Sequence, residues 1–338
     1  MSVHSWTSWR TEGSRLKSTA IACANQGLIK YWGKTDEALR VPSNGSISVC
    51  LAALTTRTTV EFSEAIAHDS LVLNQRPSND PRVFKHLDRI RALAGSKMRA
   101  RVVSENGFPP GVGFASSASG FAALTVSGVA AAGLAMPLPE LSRLARLGSG
   151  SASRSIPGGF AELLAGDDLH SVAVRLAGPD DLDFRTLAVG VGESPKKVGS
   201  SEGMRITTAT SPFFATRLEY LVGALDRMRA ALRARNGTEV ARLAEVDTLN
   251  MHATMLTSDP PLVYWSGATL DVIRAVLALR EAGTQAYFSI DAGENVFVNC
   301  RQQDVTAVRE RLGGLASVSS VIESAPGGPA RLVEDHLF

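Results

Sequence analysis

The chain has 338 residues, of which 44% are hydrophobic, 20% charged and 6% aromatic, with 30 glycines and 15 prolines. At roughly 150 residues per domain this length suggests two lobes or one large domain, and the composition excludes a disordered or collagen-like polymer. Lys and Arg number 35 against 33 Asp and Glu, a net charge of +2; that is too small a basic excess for work on nucleic acid or an anionic membrane, yet it permits a local pocket for a small anion.

The opening stretch MSVHSWTSWRTEGSRLKS is polar and has no apolar core of the kind a signal peptide carries. Strand-like runs follow at 18–24, 47–51 and 55–62, the last rich in Thr with Val60 and Phe62. Val83, Leu87 and Ile90 recur at helical spacing over 82–93, and 98–104 is strand-like again. A Pro/Gly loop at 107–113 leads into a helix from Ser116. The apolar stretch 120–136, mainly Ala, Gly, Val and Leu, is broken by Thr125 and Ser127. It falls short of the roughly 20 strongly apolar residues that span a bilayer, and reads as a helix buried on all sides of a soluble protein.

A further helix follows Pro139, then a Gly/Ser segment at 148–153 and an apolar run at 160–164. Residues 187–191 are β-like and 197–203 loop-like. From Phe213, the residues Leu218, Leu221, Val222, Leu225, Met228 and Leu232 fall at i, i+3, i+4, i+7 spacing, and helices are expected at 240–255 and near 270–282. Two short strands, 286–290 and 296–299, flank a turn. Strands and helices mixed without regular βαβ alternation read as α+β, with a boundary near 190–200 and lobes of 1–190 and 191–338.

Cys23, Cys50 and Cys300 are far apart and form no CxxC, so neither a disulfide framework nor a zinc site is expected, and a reducing cytoplasm is the simplest home. The chain has no HExxH, no His/Cys cluster and no GxSxG elbow.

Five segments can carry chemistry. In PPGVGFASSASGFAAL, Gly111 and Gly113 precede Ser116, Ser117 and Ser119 at a helix start, where free N–H groups, the helix dipole and hydroxyls suit a phosphate. The segment lacks the Lys-Ser/Thr of a P-loop and the third glycine of GxGxxG, and a capped helix with a small-residue packing face fits it equally. GSGSASRSIPGGFAE offers one cation, Arg154, whose planar fork matches a carboxylate or phosphate; a solvated surface arginine is the plainer reading. NQGLIKYWGK sets Lys30 and Lys34 around Tyr31 and Trp32, either facing an anionic ligand or ending a strand in solvent. DAGEN places Asp291 at a turn, as a turn residue or as a base aimed into a cleft. KKVGSSEGM reads as a solvated loop, His252 in NMHATML as a packed histidine, and Arg227, Arg229, Arg233 and Arg235 as a solvated helix face.

Taken together in this order, the segments resemble the GHMP small-molecule kinases and, within them, the ATP-dependent mevalonate diphosphate decarboxylases. NQGLIKYWGKTDE is similar to that family's NxxLIKYWGKxDE signature, PPGVGFASSASGFAAL to its serine-rich phosphate loop, GSGSASRSIPGGFAE to its substrate segment, and MHATML and DAGEN to its C-terminal motifs. The resemblance implies a two-lobed α+β fold with the active site between lobes, ATP and Mg2+, a phosphorylated mevalonate as substrate, and commonly a homodimer. It assigns catalysis to Asp291, Arg154 and Lys30: Asp291 to the tertiary hydroxyl, Arg154 to the C1 carboxylate, and Lys30 to the transferred phosphoryl. Gly113, Ser116, Ser117 and Ser119 are implied for ATP. The substrate's phosphate end falls to Tyr31, Lys34, Ser149, Gly150, Ser151, Ser200, Ser201 and Arg82, with Trp32, Gly33, Ala152 and Ser153 in the same segments.

Departures lean toward the branch that decarboxylates mevalonate 5-phosphate to isopentenyl phosphate. Ser200-Ser201 stands where bacterial diphosphate enzymes often read SR, Gln26-Gly27 replaces Ile-Ala, GVGF replaces AAGL, and Glu294 replaces the proline of DAGPN. Trp32 and Lys34, retained as in the diphosphate enzymes, keep diphosphomevalonate as the alternative. Two rivals stand further off: a mevalonate 3-kinase, disfavoured by the presence of Asp291, and a non-catalytic GHMP-fold binding protein, disfavoured by the set Lys30, Ser117, Arg154 and Asp291.

Overall fold

The computed structural model describes residues 16–108, 116–192 and 197–338. The chain begins with a long strand, β1 (Lys17–Ile29), then a small hairpin of β2 (Lys34–Asp36) and β3 (Val41–Pro42), and β4 (Ser46–Ser63). Next come β5 (Ser70–Leu73), β6 (Arg76–Ser78), α1 (Pro81–Ala94), β7 (Arg99–Asn106), α2 (Ser117–Ala131), α3 (Leu138–Gly148), α4 (Ala152–Ser155), β8 (Phe160–Leu163) and β9 (Ala173–Ala177). The second half holds β10 (Arg185–Gly190), α5 (Ser200–Thr210), α6 (Phe214–Arg233), α7 (Gly237–Leu256), α8 (Gly267–Glu281), β11 (Ala286–Ile290), β12 (Val296–Cys300), α9 (Val305–Gly313), β13 (Ser320–Ser324) and β14 (Arg331–Val333).

Among the described residues, the first sheet runs β14-β1-β4-β7-β5-β6, with β8 on the early part of β4 and β9 beyond β8. The strands expected at 47–51 and 55–62 are one element. In β4 the register against β1 jumps from Cys23↔Thr55 to Ala24↔Leu51, so the residues between bulge out and bend the strand. Its first part pairs with β8 and its second with β7. The second sheet is β11-β12-β10-β13, antiparallel throughout. Helices α1, α2 and α3 cover the first sheet, α8 and α9 the second, and α6 and α7 pack where the sheets meet. The architecture is α+β.

Local chemistry explains these boundaries. Asp80 caps α1 by accepting from the Arg82 N–H, Pro81 supplies a preset φ, and Gly95 closes the helix at φ 61°. Leu87 and Ile90 from its periodic face are fully buried, each contributing ~1.5–3 kcal/mol. Helix α2 is buried on most of its circumference as expected, but stops at Ala131. Helix α5 begins at Ser200, inside the run that read as loop: the Gly and Ser residues there start the helix, and Met204 and Thr207 give it a buried face. The sheets also divide differently from a cut at residue 190: β10, before it, belongs to the second sheet, and β14, after it, returns to pair with β1.

Candidate active site

Strand β1 ends at Ile29, which sets Lys30 between the two sheets, 2% exposed. Its Nζ donates to Ser289 Oγ and to Asp291 Oδ1, each at 2.7 Å. The Asp291 side chain, 40% exposed, faces solvent on its other side. A buried ammonium needs a paired partner, and this one takes a carboxylate from the residue that follows β11 of the second sheet.

Helix α7 holds both members of that pair. Asp247 accepts the backbone N–H of Lys30 at 2.7 Å and is itself fixed by the buried guanidinium of Arg217. One residue along, Thr248 Oγ1 accepts the Ile290 N–H at 3.1 Å and lies 3.2 Å from Ser289 Oγ. One turn further, His252 Nε2 lies 3.3 Å from the Ile290 carbonyl, to which it donates. Burial and the nearby Lys30 charge push this histidine down to about 4, so it is a neutral donor at physiological pH. Thr248 and His252, at i and i+4 on one face, thus grip both polar backbone groups of the residue before Asp291.

Arg154 comes from the short α4 and is 3% exposed. Its Nε donates to Ser48 Oγ at 2.9 Å, Nη1 to Ser46 Oγ at 2.6 Å, and Nη2 only to Asn25 Oδ1 at 3.5 Å. Among the described residues no carboxylate pairs with it. Burial pushes the guanidinium down to about 10, opposed mainly by the charge of Asp291, so it enters the interior as a cation held by neutral hydroxyls. An arginine so placed is prepared for an anion from outside the protein.

Tyr31 connects Lys30 with the Gly/Ser segment. A Cβ on Gly150 would sit 2.6 Å from Tyr31 Cζ, so only glycine lets the ring approach this closely. The Tyr31 hydroxyl donates to the Arg40 carbonyl at 3.1 Å. Ser149 and Ser151 hydroxyls lie 3.2 Å apart and half-buried, whereas Ala152 and Ser153 are buried beneath them, Ser153 donating to the Gly150 carbonyl at 2.7 Å. Lys34 is paired with Glu37 at 2.5 Å. Gly33 adopts φ +106° against Phe214. Ser116 and Ser117 open α2, half-buried, and Ser200 and Ser201 open α5, Ser201 exposed. Gly113 lies outside the described residues.

Three expected ligand contacts are committed elsewhere. Ser119 is fully buried, 2.7 Å from Thr56 Oγ1 and donating to the Ser116 carbonyl, because its turn of α2 faces the sheet. Trp32 is 2% exposed in an apolar cluster with Met204, Phe214, Met251 and Ala292. Arg82 binds Asp80 through two parallel hydrogen bonds at the exposed start of α1. Among the described residues, no three His, Cys, Asp or Glu side chains converge as a metal site.

Residues 22–174 match the diphosphomevalonate decarboxylase-like N-terminal domain, and residues 187–330 match the mevalonate 5-diphosphate decarboxylase C-terminal domain. The chain belongs to the mevalonate diphosphate decarboxylase family. It is 36% identical to the phosphomevalonate decarboxylase of Haloferax volcanii, over 95% of this chain and 98% of that one. It is 36% identical to the mevalonate diphosphate decarboxylase of Staphylococcus aureus, with a TM-score of 0.90 over 94% of this chain and 98% of that one. A complex of MDDEF with MVAPP, AMPPCP and magnesium is 34% identical, with a TM-score of 0.89 over 94% of this chain and 99% of that one.

The residues that support the site within this family member were harder to find. Ser46 and Ser48 lie in a run that reads simply as an apolar strand, but their period of two puts both hydroxyls on one face, toward Arg154. Asn25, inside the first motif, donates to the Ser151 carbonyl at 2.9 Å and to Ser155 Oγ at 2.7 Å, tying β1 to α4. Asp247 and Thr248 carried no local signal beyond an acid and a hydroxyl in an otherwise packed helix.

Proposed function

We propose that this protein uses ATP to convert mevalonate 5-phosphate into isopentenyl phosphate, ADP, phosphate and CO2. The observation that carries this reading is the Lys30–Asp291 pair at 2.7 Å beside Arg154, a buried cation without a carboxylate partner among the described residues. Asp291 orients the substrate's tertiary hydroxyl and accepts its proton as the hydroxyl oxygen attacks the γ-phosphoryl group. Lys30 keeps the carboxylate in register and supplies positive charge to the transferring group. Arg154 holds the C1 carboxylate through Nη2 and its neighbouring N–H groups. The C3–O bond then breaks with the phosphate keeping its electrons, the C1–C2 bond breaks to release CO2, and the electron pair from that bond becomes the C2=C3 double bond.

The donor set suits a nucleotide-borne cation better than a resident one: hydroxyls at Ser116 and Ser117 open α2, and no three-residue acidic cluster is formed among the described residues. Mg2+, when bound with the nucleotide, neutralises phosphate charge. Ser116, Ser117 and the start of α2 would hold the phosphates through hydroxyls, N–H groups and the helix dipole.

A single phosphate at C5 is favoured over two. The Haloferax volcanii relative named for the monophosphate reaction matches over nearly its whole length. The start of α5 presents two serines and Glu202 in its first turn, and Arg205 there is paired with Glu202, so the helix itself offers a second phosphate no unpaired cation among the described residues. Diphosphomevalonate is the second reading, supported by the likeness to the Staphylococcus aureus enzyme. Free, buried cysteines fit a cytoplasmic protein, no described helix is long and apolar enough to cross a membrane, and the family resemblance supports a homodimer. Turnover with Mg-ATP and each phosphorylated mevalonate, following ADP and CO2 together, tests the proposal. A higher kcat/KM for the monophosphate upholds it, a higher value for the diphosphate replaces it with the second reading, and no turnover of either overturns both.

A further inference from the structure

The Lys30 ammonium carries three N–H groups, and two are committed. One donates to Asp291 Oδ1 and one to Ser289 Oγ, each at 2.7 Å, and among the described residues no acceptor takes the third. Ser289 is fully buried on β11, and its hydroxyl also lies 3.2 Å from the Gly27 carbonyl and 3.2 Å from Thr248 Oγ1. One arrangement of protons satisfies every group. Lys30 donates to Ser289 and the Ile290 N–H donates to Thr248. The Thr248 hydroxyl then gives its proton to Ser289, and Ser289 gives its own to the Gly27 carbonyl. In that arrangement the ammonium always meets a lone pair at Ser289.

Beside the same side chain β1 carries a glycine. Gly27 is buried within the strand and lacks the positive φ of Gly33 or Gly158, so its backbone does not call for glycine. A glycine inside a strand weakens it, and often marks a place of close approach. Here the approach is that of the Lys30 side chain: a Cβ on Gly27 would stand 3.0 Å from Lys30 Cδ and 3.5 Å from Asp291 Oδ1. An added methyl would push the lysine stem aside at an atom two bonds from its ammonium. We infer that Gly27 and Ser289 are positioning residues for phosphoryl transfer, which together fix the direction of the Lys30 ammonium. With two N–H groups held by Ser289 and Asp291, tetrahedral nitrogen leaves the third a single direction, and that N–H is the one offered to the phosphoryl group. The inference rests on the proposed reaction, in which Lys30 supplies charge to the group in transfer. Both residues act through Lys30, and Gly27 does so by leaving its stem room.

The test compares wild type with Gly27→Ala and Ser289→Ala in steady-state kinetics, urea unfolding and crystal structures. Kinetics are measured with ATP and whichever phosphorylated mevalonate wild type turns over. A displaced ammonium impairs the transfer step and not the binding of either substrate. The expected result is therefore a kcat lowered ~10-fold or more in each variant, with both KM values unchanged. The urea midpoint of Gly27→Ala should match or exceed that of wild type, because alanine restricts the unfolded chain at a φ it accepts. In the crystal structure of that variant, Lys30 Nζ should leave its 2.7 Å contact with Asp291 or with Ser289. An unchanged kcat in Gly27→Ala, or a lowered kcat accompanied by a lowered urea midpoint, overturns the assignment and makes Gly27 a packing residue. Should Ser289→Ala not fold, since it strips a buried ammonium of an acceptor, Gly27→Ala decides alone. If wild type turns over neither phosphorylated mevalonate, the proposed reaction fails by itself. The crystal structures then judge the seat of Lys30: a shifted Nζ in Gly27→Ala supports it, and an Nζ still 2.7 Å from both partners refutes it.

Discussion

Replacing Arg154 with methionine separates the chemistry of the site from the stability of the fold. Burial lowers this guanidinium from its ordinary value to about 10, which corresponds to ~3 kcal/mol of unfavourable free energy. A base whose folded value lies below its unfolded value carries that cost in full at every pH below about 10, and sheds it only as the pH climbs from there toward the ordinary arginine value. Against it stand the three hydrogen bonds to Ser48, Ser46 and Asn25, at ~1 kcal/mol each. The two contributions nearly cancel, so Arg154→Met should unfold in urea within ~1 kcal/mol of wild type. Activity should not survive so well. Loss of a desolvated charge that holds a reacting carboxylate costs ~3–4 kcal/mol, or ~10²–10³ in kcat. Parallel assays of ADP and CO2 provide the diagnostic: phosphoryl transfer should outlast decarboxylation, so ADP released should exceed CO2. A variant with both products reduced less than fivefold and in equal measure, or one destabilised by more than ~3 kcal/mol, would refute this account of Arg154.

Thr248→Val leaves the Ile290 N–H without its side-chain acceptor, at a cost of ~1–3 kcal/mol; kcat should fall roughly 10-fold with KM unchanged, Thr248→Ser should restore it, and steady-state kinetics checks both. Gly150→Ala would drive a methyl to 2.6 Å from the Tyr31 ring; a KM for phosphorylated substrate raised ~10-fold and a loss of ~1–3 kcal/mol in urea unfolding are expected. His86 and His252 are held by burial at about 3 and about 4, below their ordinary 6.5. The unfolded chain therefore binds protons that the folded chain refuses, and stability, complete above pH 6.5, should fall by ~1.4 kcal/mol per pH unit for each histidine on going down toward pH 4. Urea midpoints that stay flat from pH 6.5 to 5 would exclude this.

The elements that could be read from the chain were those whose pattern is local. Helix α1 announces itself through Asp80, Pro81 and the spacing of Val83, Leu87 and Ile90, and α6 through its leucines. Strand β14 has no such pattern in three residues, and exists because β1 offers it an open edge. Helix α5 was hidden because glycine and serine at its start are equally at home in a loop. In the candidate site, Lys30, Arg154 and Asp291 stood out in the sequence because five motifs occurred in order, and the fold brings Lys30 and Asp291 to 2.7 Å. Asp247 and Thr248 did not, because their meaning depends on what lies across the fold: Asp247 accepts the N–H of Lys30, 217 residues earlier, and Thr248 that of Ile290.

The pairing of β14 with β1 also has a temporal side. During synthesis β1 leaves the ribosome about 300 residues before its outer neighbour, an interval of roughly 15–60 s at 5–20 residues per second. Throughout that time Thr19, Ala20 and Ile21 present unpaired backbone groups along one flank, the type of edge that recruits strands from other nascent chains. Crowded polysomes should therefore make this protein a client of chaperones that shield extended segments, until β14 arrives to cover the flank.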